Sequence, residues 1–67
     1  MSDGDLFDSL RAAVSAAPDD VRLRLHLAEL LAERGRADEA IRELSEVLAR
    51  DSASEDARTL MTRLLQS

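Results

Sequence analysis

Few side chains in this sequence are of a type that catalyses reactions. His26 is the only histidine, and a nucleophilic centre would need a serine or threonine brought beside it by the fold. Ser45, Thr59 and Thr62 are present, but nothing in their spacing places a hydroxyl near the imidazole. A single histidine on the polar side of a helix is usually solvated. We therefore predict that the protein is not an enzyme.

Carboxylates are abundant, and some have spacings that could hold a metal ion. Residues 3–8, "DGDLFD", offer three of them, but the glycine and the later glutamate of a helix-loop-helix calcium loop are missing. Glu29 with Glu33, and Glu39 with Glu43, are spaced i, i+4. No further ligand can be placed beside either pair from the sequence. We expect no metal site and no cofactor.

The net charge excludes some partners. Nine basic residues face fourteen acidic ones, for a net charge of −5, so long-range electrostatics oppose binding to nucleic acid or to an anionic membrane. Arg22 and Arg24 form too small a basic cluster to reverse this. All the basic residues are arginine, which we interpret as the coding bias of a high-GC bacterium.

The amino-terminal segment "MSDGDLFDSL" lacks the basic and then apolar order of a signal peptide. No apolar run approaches the length of a membrane span, and the chain contains no cysteine. These features predict a soluble, cytoplasmic protein. At 67 residues, the chain is expected to form one domain over residues 1–67.

In a domain of this size, the spacing of the apolar residues indicates which secondary structure forms. The segment "VRLRLHL" alternates like a half-buried strand, but it continues into "AELLAERG" with helical spacing. We interpret it as a helix with two apolar faces, since no other segment offers a partner strand. Periodicity predicts an all-α fold with four helices, at about residues 5–16, 20–34, 37–50 and 55–65.

Local signals set the helix ends and the expected surface ion pairs. Asp19 or Asp20 can cap the second helix after Pro18, and Gly35 can end it. Ser52 followed by Glu55 fits a capping box for the last helix. On the third helix, Asp38 with Arg42 and Glu46 with Arg50 have the favourable i, i+4 order.

An internal repeat of 34 residues becomes visible when the chain is shifted on itself. It pairs the first helix with the third and the second with the fourth. The matched positions are Phe7 with Ile41, Leu10 with Leu44, Ala13 with Val47, Val14 with Leu48, Arg24 with Arg58, Leu27 with Met61, Ala28 with Thr62 and Leu31 with Leu65. The chain thus contains one whole two-helix unit flanked by two half units.

The segment "LAELLAERGRADEAIRELSEVLARD" resembles the tetratricopeptide repeat family, whose 34-residue pattern is W-x2-L-G-x2-Y, then A-x3-F, then P. Leu27, a small Ala28, Gly35 and Ala40 agree with it. Its three aromatic positions hold Arg24, Leu31 and Leu44. The resemblance implies an antiparallel helix-turn-helix array with a concave groove that binds proteins or peptides and has no catalytic residues.

Transferred position by position, the resemblance also implies which residues face the groove. They are Arg22, Leu25, Glu29, Ala32 and Glu33 on the second helix and Asp56, Thr59, Arg63 and Gln66 on the fourth. Such a groove is acidic and partly apolar and fits a basic or amphipathic partner. Leu25 is either a binding anchor or a residue that packs against a neighbouring helix.

A single repeat with two halves is less than such arrays usually need. Either more protein follows Ser67, or the end helices pair with another copy, as in a homodimer. Residues 5–31 are also similar to the amino-terminal segment of some high-GC bacterial AAA-type ATPases, which implies recruitment of partners or assistance in assembly. The alternative is a self-assembling structural unit. The chain contains no phosphate-binding loop.

Overall fold

The computed structural model describes residues 3–66, which form four α-helices joined by short loops. The helices are α1 (Asp3–Ala16), α2 (Val21–Glu33), α3 (Ala37–Arg50) and α4 (Glu55–Gln66). Their ends differ from the predicted ones by at most two residues, and the difference is largest at the start of α1. The expected all-α fold is confirmed. Residues 1, 2 and 67 of the predicted domain lie outside the described residues.

The strand-like segment "VRLRLHL" belongs to α2, and α2 has the two apolar faces that were predicted. Leu27 and Leu31 are buried in a cluster with Phe7 and Val14 of α1. Ala28 is buried in a second cluster, which α3 and α4 complete with Leu44, Val47 and Ala57. Each face of α2 therefore packs on different helices. Because apolar residues are needed on both faces, they alternate with polar residues along the sequence and resemble a strand pattern.

The helices form an open array. α2 packs most closely on α3, α3 packs on α4, and α1 packs on α2. Among the described helices, the backbones of α1 and α4 do not come close to each other, so the array does not close into a bundle. The Cα positions extend over 31 × 27 × 14 Å, a slab with two edges. α1 forms one edge and α4 the other.

Small residues allow the close contact of α2 with α3. Ala28 on α2 and Ala40 on α3 are both fully buried, and a methyl side chain lets two helix backbones approach. Leu44 and Val47 complete the buried stripe of α3. This hairpin is the whole unit of the repeat, and it has a neighbouring helix on each side.

The ends of α2 follow the predicted signals. The Asp20 carboxylate accepts a hydrogen bond from the backbone N–H of Leu23 at 3.0 Å, which satisfies one of the free donors of the first turn. At the other end Gly35 has φ +76°. The Arg36 N–H donates to the Leu31 carbonyl at 2.9 Å. This is the hydrogen bond of a glycine-terminated helix end.

The capping box predicted from Ser52 is wrong. α4 begins at Glu55, so the residue in the capping position is Ser54. The Ser54 hydroxyl accepts a hydrogen bond from the N–H of Ala57 at 3.3 Å. Residues 52 and 53 instead form a turn in which the Asp51 carboxylate accepts from the N–H of Ala53 at 3.2 Å. The physical reason is distance, since only a residue directly before the helix reaches its first free donors.

Candidate partner-binding groove

A groove runs along the edges of α2 and α4 where the two helices lie side by side. It consists of three adjoining cavities with volumes of about 370, 270 and 410 Å³. Leu25 and Asp56 line both the first and the second cavity, and Glu29, Leu60 and Arg63 line both the second and the third. These shared residues make the cavities one continuous surface, which we call the α2–α4 groove.

Most of the residues that the sequence assigns to a groove lie along this surface. The structure brings together Arg22, Leu25, Glu29, Ala32, Glu33, Asp56, Thr59 and Arg63. Gln66 is not among the lining residues. The repeat explains this agreement, because α4 lies beside α2 as the next first helix of the array. Whether these residues bind a partner stays a prediction.

The sequence reasoning missed the apolar floor of the groove. Val21 lines the first cavity, Leu60 lines the second and third, and Leu64 lines the third. All three are partly buried and pack on the cluster around Leu44. Their apolar type at helical spacing was the available signal, but it was assigned to the core alone.

Leu25 lies at the boundary between the core and the groove, so its packing on a neighbouring helix is confirmed and its use as a binding anchor stays a prediction. Its side chain is half-buried against the cluster of Ala28, Leu44, Val47 and Ala57. The same residue lines two of the three cavities. A leucine at the boundary between core and groove contributes to packing and offers apolar surface to a ligand.

The carboxylates of the groove are exposed and not neutralised by arginines. Glu29, Glu33, Glu55 and Asp56 are all exposed. Within residues 3–66, no ion pair involves any of these four side chains. Exposed carboxylates at a concave surface attract a cationic ligand.

The glutamates of α3 outside the groove are, in contrast, paired with arginines. The pairs are Arg11–Glu39 at 3.3 Å, Arg24–Glu43 at 3.1 Å and Arg50–Glu46 at 2.6 Å. The hydrogen bond from Arg50, followed by its charge, holds the pKa of Glu46 below its ordinary value. The same hydrogen bond raises the pKa of Arg50. Arg11, Arg24 and Arg50 thus neutralise glutamates of α3, whereas the four carboxylates of the groove keep their charge.

Two of the three hydroxyls considered for catalysis, those of Ser45 and Thr62, are engaged in hydrogen bonds. His26 is exposed. The Ser45 hydroxyl donates to the Ile41 carbonyl at 3.0 Å, and the Thr62 hydroxyl donates to the Arg58 carbonyl at 2.9 Å. Both hydroxyls therefore bond to the backbone of their own helix. In the part of the chain that the structure describes, no group of three or more histidines or carboxylates is placed to hold a metal ion.

These features define a class of protein, an open array of antiparallel helical hairpins. Its groove lies between the first helices of neighbouring hairpins, here α2 and α4. The family model for the tetratricopeptide repeat matches residues 7–64, which is most of the chain. The protein therefore belongs to the tetratricopeptide repeat family. No curated protein and no solved structure matches the sequence significantly.

Among the four described helices, none has both the length and the apolar character that crossing a membrane requires. Tetratricopeptide repeats generally act as protein interaction modules, and this chain has their open helical array. The α2–α4 groove has an apolar floor and an acidic rim.

Proposed function

We propose that the protein is a non-catalytic interaction module whose α2–α4 groove binds a basic, amphipathic segment of a protein partner. The observation that carries this proposal is the separation of charges. Within the described residues 3–66, Glu29, Glu33, Glu55 and Asp56 have no arginine partner, whereas Glu39, Glu43 and Glu46 each have one. An apolar floor below unpaired carboxylates is complementary to a helix with leucines on one face and arginines at its border.

Arg22 and Arg63 place two positive charges in the otherwise acidic groove. Arg22 lines the first cavity and Arg63 lines the second and third. They lie among the acidic residues rather than on a face of their own. A partner with cations throughout would meet these two arginines, so we propose a ligand that also carries one or two acidic residues.

The test is a titration of the 67-residue chain with a fluorescently labelled helical peptide that has leucines at i, i+4 and arginines beside them. We expect binding in the micromolar range, as for modest interfaces. A peptide with glutamates in place of the arginines serves as the reference. Equal binding of the two peptides would refute the electrostatic part of the proposal.

Variants locate the binding surface. Glu29→Arg reverses a charge in the groove and should weaken peptide binding by roughly tenfold. Asp38→Arg makes the same change on α3, outside the cavities that form the groove, and should leave binding within about twofold. If both variants weaken binding to the same extent, net charge and not the groove determines affinity.

The similarity of residues 5–31 to the leader of bacterial AAA-type ATPases supports a more specific proposal. The module would then be the amino-terminal partner-binding or assembly region of a larger cytoplasmic protein. Pull-down of substrates or adaptors by the full reading frame, with and without residues 1–67, tests this. Equal recovery in both cases would refute it.

A second candidate function is self-assembly through the end helices. Leu65 on α4 is a large apolar residue with 67% of its surface exposed. Exposed apolar residues on an edge helix favour association with another surface. Sedimentation equilibrium of the chain over a range of concentrations tests it, and a constant mass of 7.4 kDa would refute it.

A further inference from the structure

The 34-residue repeat allows the open face of α4 to be compared with the covered face of α2. Leu31 on α2 is 0% exposed, and its equivalent on α4, Leu65, is 67% exposed. Ala28 is fully buried, and its equivalent, Thr62, is exposed. The difference arises because α3 packs on α2 while α4 has no equivalent helix within the described residues.

The open face of α1 can be compared in the same way with the covered face of α3. Leu44 and Val47 of α3 are buried in the contact with their neighbours. Their equivalents on α1, Leu10 and Ala13, are only half-buried. α1 therefore has the residue types of the second helix of a hairpin, and within residues 3–66 no first helix of the same hairpin packs on it.

From this complementarity, and resting on the self-assembly candidate above, we propose that α1 of a second copy packs on α4. The contact would reproduce the packing of α3 on α2 and would join two half units into one whole repeat. Each copy offers one face of each type, so the interface is head-to-tail. Such an interface continues from copy to copy, and it forms a ring only if the rotation between copies closes.

Charge complementarity supports a second copy as the occupant. In the α2–α3 hairpin, the cavity at Arg24 is lined by Arg42 and Glu43. The residues 34 positions away are Arg58 on α4 and Asp8 and Ser9 on α1. The joined repeat would therefore bring Arg58 and Asp8 of the second copy to the lining of one cavity, with Asp8 as the acidic residue where Glu43 is replaced by Ser9. Both side chains are exposed, and no ion pair involves either of them within residues 3–66.

The polar residue on the α4 face does not oppose its burial. The Thr62 hydroxyl already donates to the Arg58 carbonyl, so covering it leaves no free donor. The side chains at the helix contact would be larger in the joined repeat than in the α2–α3 hairpin. Leu6 takes the position of Ala40, and Thr62 takes the position of Ala28. Larger side chains keep two helices further apart, so we expect a weaker contact than that of α2 with α3.

The arrangement has a consequence for the α2–α4 groove. In the array, α4 of one copy would be followed by α1 and then α2 of the next. The helices α2 and α4 of one copy and those of the next would lie on the same side of the array. The groove would therefore continue along the assembly. A long basic ligand would then bind several copies at once and raise the apparent affinity.

The test is a charge exchange in the 67-residue chain, monitored by sedimentation equilibrium from about 10 μM to about 1 mM, the range of weak association. Asp8→Arg and Arg58→Glu each place like charges opposite one another, and each should raise the dissociation constant roughly tenfold. The double variant, and an equimolar mixture of the two single variants, should both recover association. Both positions are exposed, so circular dichroism should show unchanged helicity.

The outcomes separate this arrangement from self-assembly in general. If the unmodified chain stays at 7.4 kDa, both self-assembly and the joined repeat are refuted. If it associates but Asp8→Arg has no effect, self-assembly holds and the head-to-tail contact is wrong. A symmetric pairing of two α4 helices predicts that result, because Asp8 lies on α1. Recovery in the double variant supports packing of α1 on α4 and contradicts the pairing of two α4 helices.

Discussion

The guanidinium of Arg24 lies 3.1 Å from the carboxylate of Glu43, and the two side chains are only 11% and 16% exposed. Arg24 takes the position that the tetratricopeptide pattern gives to tryptophan, at the junction of α2 and α3. Its second terminal nitrogen donates to the Pro18 carbonyl at 3.4 Å. Its Nε is buried and has no hydrogen-bond partner among the residues that the structure describes. The hairpin thus uses an ion pair where the family pattern uses an aromatic ring.

Removing one partner of this pair should destabilise the fold more than removing both. Glu43→Ala leaves a mostly buried guanidinium without its counterion, and we expect a loss of about 2 kcal/mol in the free energy of unfolding. The double variant Arg24→Met, Glu43→Leu should recover most of that loss, since apolar residues of similar volume often replace a buried pair without cost. Urea unfolding monitored by circular dichroism measures both. A double variant less stable than Glu43→Ala would contradict this account.

Gly35 should tolerate asparagine better than alanine. Its φ of +76° lies in the left-handed region, and a Cβ built there meets no atom within 4 Å. The cost of alanine is therefore a backbone cost of about 1 kcal/mol, without steric repulsion. Asparagine enters this region more readily, so Gly35→Asn should cost less than Gly35→Ala. Thermal unfolding of the two variants compares them, and equal losses would show that side-chain contacts dominate.

The Glu46–Arg50 pair should make a small, pH-dependent contribution to stability. The hydrogen bond from Arg50 and its charge lower the pKa of Glu46 from its ordinary value. The contribution is therefore fully present above the unfolded-state pKa and is lost as the pH falls through the folded-state pKa. An NMR titration of the Glu46 carboxyl should give a pKa below that of an ordinary glutamate, and Arg50→Gln should raise it towards the ordinary value. Because the pair is exposed, added salt should reduce the difference.

The helices could be predicted from the sequence because their signals are local. α2 has a cap at Asp20, a glycine at its end and apolar residues at helical spacing. The Glu46–Arg50 pair was also predicted and is confirmed at 2.6 Å. Asp38 and Arg42 have the same spacing, but no ion pair joins them within residues 3–66. Spacing brings two side chains into range and does not fix their rotamers.

Contacts between helices could be predicted only where the repeat indicated them. The position of α4 beside α2 follows from the period, and with it the set of residues along the groove. The Arg24–Glu43 pair joins residues 19 positions apart, and no local rule relates them. The acidic character of the groove depends on such pairs, because they decide which glutamates are neutralised. This separation of charges therefore became visible only in the structure.

Close contact of α2 with α3 should depend on the small size of Ala40. This residue is fully buried, so Ala40→Leu adds volume where none is available and should cost about 2–3 kcal/mol. Ala49 lies on the same helix and is exposed, and Ala49→Leu should change the stability by less than about 0.5 kcal/mol. Chemical denaturation of the two variants gives both values. Similar stabilities would mean that the hairpin has room for a larger residue.

Leu25 should contribute to both stability and binding, and Leu30 provides the matched control. Both leucines are on α2 and half-buried, but Leu25 lines the groove while Leu30 packs on the cluster around Phe7. Each change to alanine should cost about 1–2 kcal/mol in unfolding free energy, less than for a fully buried leucine. Only Leu25→Ala should also weaken binding of the basic peptide, by roughly fivefold for the lost apolar contact. Calorimetric titration at a temperature where both variants are folded separates the effects, and equal weakening by the two would mean that Leu25 acts through stability alone.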